Sequence, residues 1–354
     1  MRRPQGAPGQ RRIRAAGLRP ACAHTNENRI WSDTSLTATE TKPRLLVLVG
    51  PTAVGKTKLS LETAVRFGCE VISGDSMQVY RGMDIGTAKA TPQEQAIVPH
   101  HMIDIHDPDY PFSAAEFQER AGVLIRDIQG RGKLPFIVGG TGLYIESVCY
   151  GFQFGEGGSD ETYRRELNDF ADRHGEEAMH DLLKEIDPAS AERIHANDRR
   201  RTIRALEVFK ATGMTMSEHL AGQKKESPYE LCMVGLTMDR ELLYKRIEAR
   251  IDLMLEEGLV REVEGLLERG FSTDLVSMQG LGYKEIAGFL KGDYDLPFAV
   301  ELLKRNTRRF AKRQLSWFRR MKDIRWIDVT EPNFSAHLQT FHDILAGKFP
   351  PDPE

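Results

Sequence analysis

The chain has 354 residues, with 49 Lys and Arg against 52 Asp and Glu, for a formal net charge of −3. Hydrophobic residues at 40% and charged residues at 29% are ordinary for a folded globular chain and exclude wholesale disorder. No apolar run approaches the ~18–20 residues of a membrane span. The four cysteines (Cys22, Cys69, Cys149, Cys232) lie far apart without a CxxC pair, which excludes a zinc cage or a disulfide framework. Taken whole, the charge argues against nucleic acid, but its distribution has to be read along the chain.

Residues 1–43 hold eight Lys or Arg against three acids and show no periodicity, so they read as a disordered N-terminal extension. Arg-richness gives a transit peptide as the alternative, weakened by Glu27, Asp33 and Glu40. The run Leu45–Val49 is apolar throughout and predicts a buried strand ended by Gly50, followed by a helix from Lys58 to Phe67. Glu70–Ser73 predicts a second strand, 114–130 a helix, and Phe136–Val138 a third strand ended by Gly139-Gly140. Buried strands alternating with helices predict an α/β fold with a doubly wound parallel sheet.

At Gly151 the texture changes: 154–159 reads as a hinge, and charged helical stretches without a strand run on to about Gly222. Leu231–Met238 predicts a further strand, and Asp239 caps a long helix with Leu242, Leu243, Ile247 and Ile251 on its apolar face. Three helical segments follow, the last (300–321) dense in Arg and Lys. The organisation expected is a core in two parts, 44–150 and 226–330, a helical insertion domain at 151–225, and a C-terminal tail at 331–354.

Gly50-Pro51-Thr52-Ala53-Val54-Gly55-Lys56-Thr57 fits GxxxxGK[ST], between a buried strand and a helix. Glycines let successive N–H groups curl around phosphate oxygens, and the helix N-terminus adds a favourable dipole. Lys56 reaches a terminal phosphate in such a P-loop, and the Thr57 hydroxyl ligates Mg²⁺. The third strand runs into Gly-Gly-Thr-Gly rather than an acid, which disfavours an NTP-hydrolysing motor and favours group transfer. Asp75 follows the second strand at the carboxyl edge, where open α/β sheets bind ligands. A carboxylate there can ligate metal through water, hold a hydroxyl, or act as a base.

Seven segments in order, GPTAVGKT, GDSMQVYRGMDIGTAK, HHMIDIHDPDYPFSAAEF, VGGTGLYI, NDRRRTIRALEVF, QGLGYKE and TRRFAKRQLSWFR, closely resemble the bacterial tRNA dimethylallyltransferases. The resemblance spans residues 44–330. It implies a P-loop NTPase-like core and transfer of a dimethylallyl group from dimethylallyl diphosphate to N6 of the adenosine 3′ of a tRNA anticodon. It places Asp75 as general base, Thr141 near the reacting centre, and Lys284 on the diphosphate together with the phosphate loop and Mg²⁺. Ser76, Met77 and Gln78 match its tRNA-contacting segment. Arg164, Arg200, Arg201, Thr202, Ile203 and Arg204 match positions in the insertion that grip the anticodon stem-loop. Relatives commonly carry Gln at the position of Arg200. Arg308, Lys312, Arg313 and Gln314 on the basic helix match further tRNA positions. The absence of a C-terminal Cys/His zinc-finger pattern fits a bacterial, cytoplasmic enzyme, expected to act as a monomer.

Two other uses of the core are an adenylate isopentenyltransferase and a small-molecule kinase binding ATP at the same loop. A non-enzymatic RNA-binding protein is disfavoured by the joint presence of Lys56, Thr57 and Asp75. Against the kinase stands the charge map: residues 301–326 hold ten Lys or Arg against two acids, and Asn197–Lys210 adds a second basic cluster. RNA binding needs local positive potential, whatever the total.

Overall fold

The structure, a computed structural model, describes residues 42–154, 160–223 and 226–349. The expected extension, apart from Lys42 and Pro43, and the hinge residues 155–159 lie outside the described residues. The chain opens with β1 (Arg44–Val49), whose Leu45, Leu46, Val47, Leu48 and Val49 are all fully buried. Next come α1 (Lys56–Phe67), β2 (Cys69–Gly74), α2 (Pro92–Ile97), β3 (His100–His101), α3 (Ala114–Gly130), β4 (Leu134–Gly139) and α4 (Gly142–Tyr150). Five helices follow without a strand: α5 (Glu161–His174), α6 (Glu176–Ile186), α7 (Pro188–Arg193), α8 (Arg199–Thr212) and α9 (Met216–Ala221). The chain then returns to β5 (Glu230–Thr237), α10 (Arg240–Glu257), α11 (Leu259–Glu268), α12 (Tyr283–Lys291), α13 (Leu296–Phe318), β6 (Ile324–Asp328) and α14 (Phe334–Lys348).

The described residues form two compact units, 42–152 with 226–349, and 153–223. The first is built on one six-stranded parallel sheet of order β3-β2-β4-β1-β5-β6. β1 lies between β4 and β5, in register Leu46 to Phe136 on one side and Leu46 to Cys232 on the other. That central place explains a continuous apolar run in place of an alternating one. The chain leaves β1 for β2 two strands away, so the carboxyl end of β1 sits at a topological switch point. The second unit packs its helices around Leu167, Met179, Leu183, Ile203 and Leu206.

Three elements differ from expectation. β3 is two polar residues, and β6 (Ile-Arg-Trp-Ile-Asp) is a short edge strand broken by Arg325 and Asp328, so neither carries the apolar run that marks the central strands. Residues 331–354, read as a tail, contain α14, which buries Phe341 and Leu345. Its His342 Nε2 lies 3.3 Å from Thr63 Oγ1 of α1, with the ring edge-on to Phe67. Cys69, Cys149 and Cys232 are free and buried.

The glycines that end β2 and β4 face each other in register, Gly74 to Gly139. A Cβ on Gly139 would lie 2.3 Å from the Gly74 carbonyl oxygen, while one on Gly130 at the end of α3 would meet nothing within 4 Å. We expect Gly139→Ala to cost about 1–3 kcal/mol or more in urea denaturation, through forced backbone movement. Gly130→Ala, which only stiffens the unfolded chain, should be neutral or stabilising by about 0.4–1 kcal/mol. Equal effects at the two positions would contradict this packing.

Candidate active site

The carboxyl ends of β1, β2 and β4 open into a cavity of about 380 Å³ within the sheet-containing unit. Thr52, Ala53, Lys56 and Thr57 of the phosphate loop line it. The loop curls through Ala53 at φ 64° and Gly55 at φ 107°, positive torsions that turn successive N–H groups to one side. Gly55 caps α1 without any side-chain bond to the first-turn donors, so those N–H groups are left for an anion. Lys56 Nζ folds back on the loop, donating to Gly50 O at 3.0 Å and Pro51 O at 2.8 Å.

Gln314 of α13 holds this loop to the turn after β4. Thr52 N–H donates to its Oε1 at 3.0 Å, and its Nε2 donates to Gly140 O at 3.0 Å. A Cβ on Gly140 would lie 2.2 Å from that Nε2, and one on Gly142 2.4 Å from the Trp317 ring. The Gly-Gly-Thr-Gly sequence is therefore what lets α13 approach.

Asp75 sits on the turn that leaves β2, with its Oδ1 accepting from Met77 N–H at 2.9 Å. Thr141 joins this turn to the β4–α4 junction: Ser76 N–H donates to its Oγ1 at 3.0 Å, and Thr141 donates to Ser76 Oγ at 3.4 Å. Gln78 is spent on the protein itself. Its Oε1 accepts from Ser73 Oγ at 2.7 Å, and its Nε2 donates to Thr87 O and Ala88 O at 3.2 Å each. Met77 packs toward Gly280, where a Cβ would lie 2.6 Å from its methyl carbon. Gly280, Tyr283 and Lys284 form the wall across from Asp75's turn, and Lys284 Nζ lies 3.8 Å from Glu285 Oε1.

Three charges meet in this cavity. Burial pushes the Asp75 carboxyl above its ordinary range, opposed by the Met77 N–H and by the charges of Lys56 and Arg250. Burial, and then the like charge of Arg250, lower Lys56 to about 8, with Asp75 pulling the other way. Burial also lowers Arg250. Arg250 belongs to α10 and escapes the sequence reading because it stands between Ile247 and Ile251, in the helix's buried stripe, outside every motif. A charge inside an apolar helical stripe was the available signal.

The expected tRNA residues divide. Ser76, Met77, Gln78, Arg313 and Gln314 line the cavity. Gln314 is only 5% exposed, because α13 turns that residue inward with Ala311 and Phe318 and both of its amide atoms bond the protein. Lys312 is exposed, and Arg308 pairs with Glu248 of α10 at 2.6 Å. In the helical unit, Arg200 and Arg201 are exposed on α8, whereas Thr202 and Ile203 are buried. The helical repeat separates them: two residues at adjacent positions point about 100° apart. Arg164 and Arg204 both hold the buried carboxylate of Glu207, at 2.8 and 2.6 Å.

Comparisons with known proteins agree with one another. The family model described as IPP transferase matches residues 78–321, and one described as isopentenyl transferase matches residues 43–102. The tRNA dimethylallyltransferase of Halalkalibacterium halodurans is 52% identical over 308 residues, 87% of this chain and 98% of the relative. That of Bacillus mycoides is 54% identical over 297 residues, 84% and 93% of the two chains. Among solved structures, a tRNA isopentenylpyrophosphate transferase from Bacillus halodurans matches with TM-score 0.67 and 51% identity, covering 87% of this chain and 97% of that one. A eukaryotic dimethylallyltransferase acting on tRNA matches with TM-score 0.74 and 30% identity, covering 88% and 81%.

The lowered Lys56 gives a signed pH test. The unfolded chain holds a proton on this group up to its ordinary value of 10.5 and the folded chain only to about 8. Between those limits Lys56 makes stability rise with pH, and above the lower one it weakens anion binding. Calorimetry with inorganic diphosphate should show affinity falling above pH 8 in the parent relative to Lys56→Met, by up to about tenfold per pH unit. Parallel pH profiles for the two proteins would contradict the assignment.

Proposed function

The chain belongs to the tRNA dimethylallyltransferase family, and from that premise we propose how its residues move a dimethylallyl group from dimethylallyl diphosphate to N6 of the adenosine 3′ of a tRNA anticodon. One observation carries the reading: a recessed carboxylate, Asp75, shares a cavity with Lys56 and Arg250 at an uncapped helix N-terminus. The diphosphate takes the N–H groups of the phosphate loop, with Lys56, Arg250 and Lys284 neutralising the charge that develops as it leaves. Lys56 then exchanges its loop carbonyls for phosphate oxygens.

The exocyclic amine of adenine is a weak nucleophile, because its lone pair is delocalised into the ring. As N6 bonds to C1 of the dimethylallyl group, the C1–O bond breaks and the N6 proton passes to Asp75. Such a positioned base contributes about 10²–10⁴-fold. Burial that raises the Asp75 carboxyl suits it to accept that proton. Thr141, bonded to the same turn, keeps the carboxylate's loop in place.

Mg²⁺ fits the donor set. No group of three or more His, Cys, Asp or Glu forms among the described residues, while Thr57 stands exposed at the cavity. Mg²⁺ commonly keeps several waters and takes substrate phosphate oxygens with few protein ligands. Thr57 would hold it, and when bound it adds positive charge to the leaving group.

The helical unit grips the anticodon stem-loop through exposed Arg200 and Arg201, and through Arg164 and Arg204 fixed on Glu207. Arg308, Lys312 and Arg313 add positive charge from α13. Extruding the adenosine costs a few kcal/mol, roughly, which these contacts offset. The reaction needs only one chain, so we read the protein as a monomer. No helix among the described residues is long and apolar enough to cross a membrane; the tRNA substrate argues for a cytoplasmic site of action.

Incubation with dimethylallyl diphosphate, Mg²⁺ and unmodified tRNA should yield prenylated adenosine on nucleoside mass spectrometry. Transfer to AMP, or phosphoryl transfer from ATP, in its place would overturn the reading. Asp75→Asn should lose about 10²–10⁴-fold in turnover while tRNA affinity stays near the parent's. A variant with normal turnover and weak tRNA binding would reassign Asp75 to RNA contact.

A further inference from the structure

Glu262, on α11, lies outside every motif in the sequence, yet its carboxylate takes four donors. Oε2 accepts from the backbone N–H of Asp84 at 3.0 Å and of Ile85 at 2.8 Å. Oε1 accepts from Gly86 N–H at 3.1 Å and from the Tyr283 hydroxyl at 2.6 Å. Consecutive N–H groups closed around an anion form a nest, and four bonds fill the lone-pair sites of an ionised carboxylate.

Its partners belong to two walls of the cavity. Beyond Gly86, the carbonyls of Thr87 and Ala88 accept from Gln78 Nε2, on the same turn as Asp75. On the other side, Tyr283 opens α12 directly before Lys284. The walls are already at contact distance, since a Cβ on Gly86 would lie 2.6 Å from the Tyr283 ring. Lys89 holds the same loop from beyond, donating to Tyr80 O at 2.8 Å and pairing with the carboxylates of Asp84 and Asp104. Burial and the adjacent Glu262 both raise the Tyr283 phenol, which keeps it protonated as a donor.

We propose that Glu262 is a positioning residue for the transfer, fixing at once the loop that braces Asp75's turn and the helix turn that presents Lys284. The inference rests on the prenyl-transfer reading of the cavity. Glu262 touches no reacting atom and acts through Tyr283 and the backbone of 84–86. A carboxamide in its place keeps the shape but loses the charge, and turns an N–H₂ toward donors.

The test is Glu262→Gln in the full chain, with steady-state kinetics, tRNA affinity and thermal unfolding measured together. The KM for dimethylallyl diphosphate should rise and kcat fall, by about tenfold or more in kcat/KM, with tRNA affinity unchanged within about twofold. A purely structural role would lower the active fraction and leave KM at the parent value. Tyr283→Phe keeps the carboxylate and its three backbone bonds, and should shift the same KM by about threefold or more. An unchanged KM in folded Glu262→Gln overturns the proposal. If that variant does not fold, an unchanged KM in Tyr283→Phe overturns it. A parent protein that transfers no dimethylallyl group would instead refute the functional reading. Inorganic diphosphate affinity of parent and variants, by calorimetry, then decides whether Glu262 still positions Lys284.

Discussion

The Gln314 carboxamide, buried between the phosphate loop and the Gly139–Gly142 turn, fixes the separation on which the cavity depends. Its two bonds, to Thr52 N–H and Gly140 O, join the carboxyl ends of β1 and β4 through a helix from a distant part of the sequence. Each bond contributes only about 0.5–1.5 kcal/mol net, but leaving either buried partner unpaired costs about 1–3 kcal/mol. The bridge thus constrains geometry more than it adds stability. It also dictates composition, because only glycine at 140 and 142 admits the Gln314 amide and the Trp317 ring at their observed distances. The same α13 carries Lys304, Arg305, Arg308, Arg309, Lys312 and Arg313, so a basic stretch and the loop spacing share one element.

The electrostatics follow from this confinement. Burial and then the charge of Arg250 depress the affinity of Lys56 for its proton, burial does the same to Arg250, and the Asp75 carboxylate offsets both only in part. Such a site is incomplete electrostatically until an anion enters, which matches a diphosphate substrate. Elsewhere the arginines are positioned by acids, as Glu207 holds Arg164 and Arg204 and as Glu248 holds Arg308. The near-neutral total of −3 therefore reflects acids that orient cations as much as acids that cancel them.

Much of the sheet was legible because its central strands are buried on both faces: β1, β2, β4 and β5 appear as short apolar runs ended by glycine or polar residues. The phosphate loop was legible because an anion nest requires glycine and lysine at fixed spacing. β3, β6 and α14 were not, since an edge strand needs little apolar content and α14's apolar positions acquire meaning only against α1. Asp75, Thr141 and Lys284, singled out by motif, line one cavity. Gln314, Thr202 and Ile203, singled out by the same motifs, are buried, because a motif records neighbours in sequence while helical geometry decides which of them face inward. Arg250 and Glu262 were missed for the converse reason: each acts alone, far in sequence from the groups it serves.

The central claim is that Gln314 holds the phosphate loop against the turn after β4, the spacing on which the cavity depends. Its most direct test compares Gln314→Ala with the parent in two assays, single-turnover transfer to tRNA and equilibrium tRNA binding. The account predicts transfer slowed by about tenfold or more, as expected when reacting groups lose their alignment, with tRNA affinity within about twofold of the parent. Normal single-turnover transfer at saturating tRNA, together with a large loss of tRNA affinity, would contradict it.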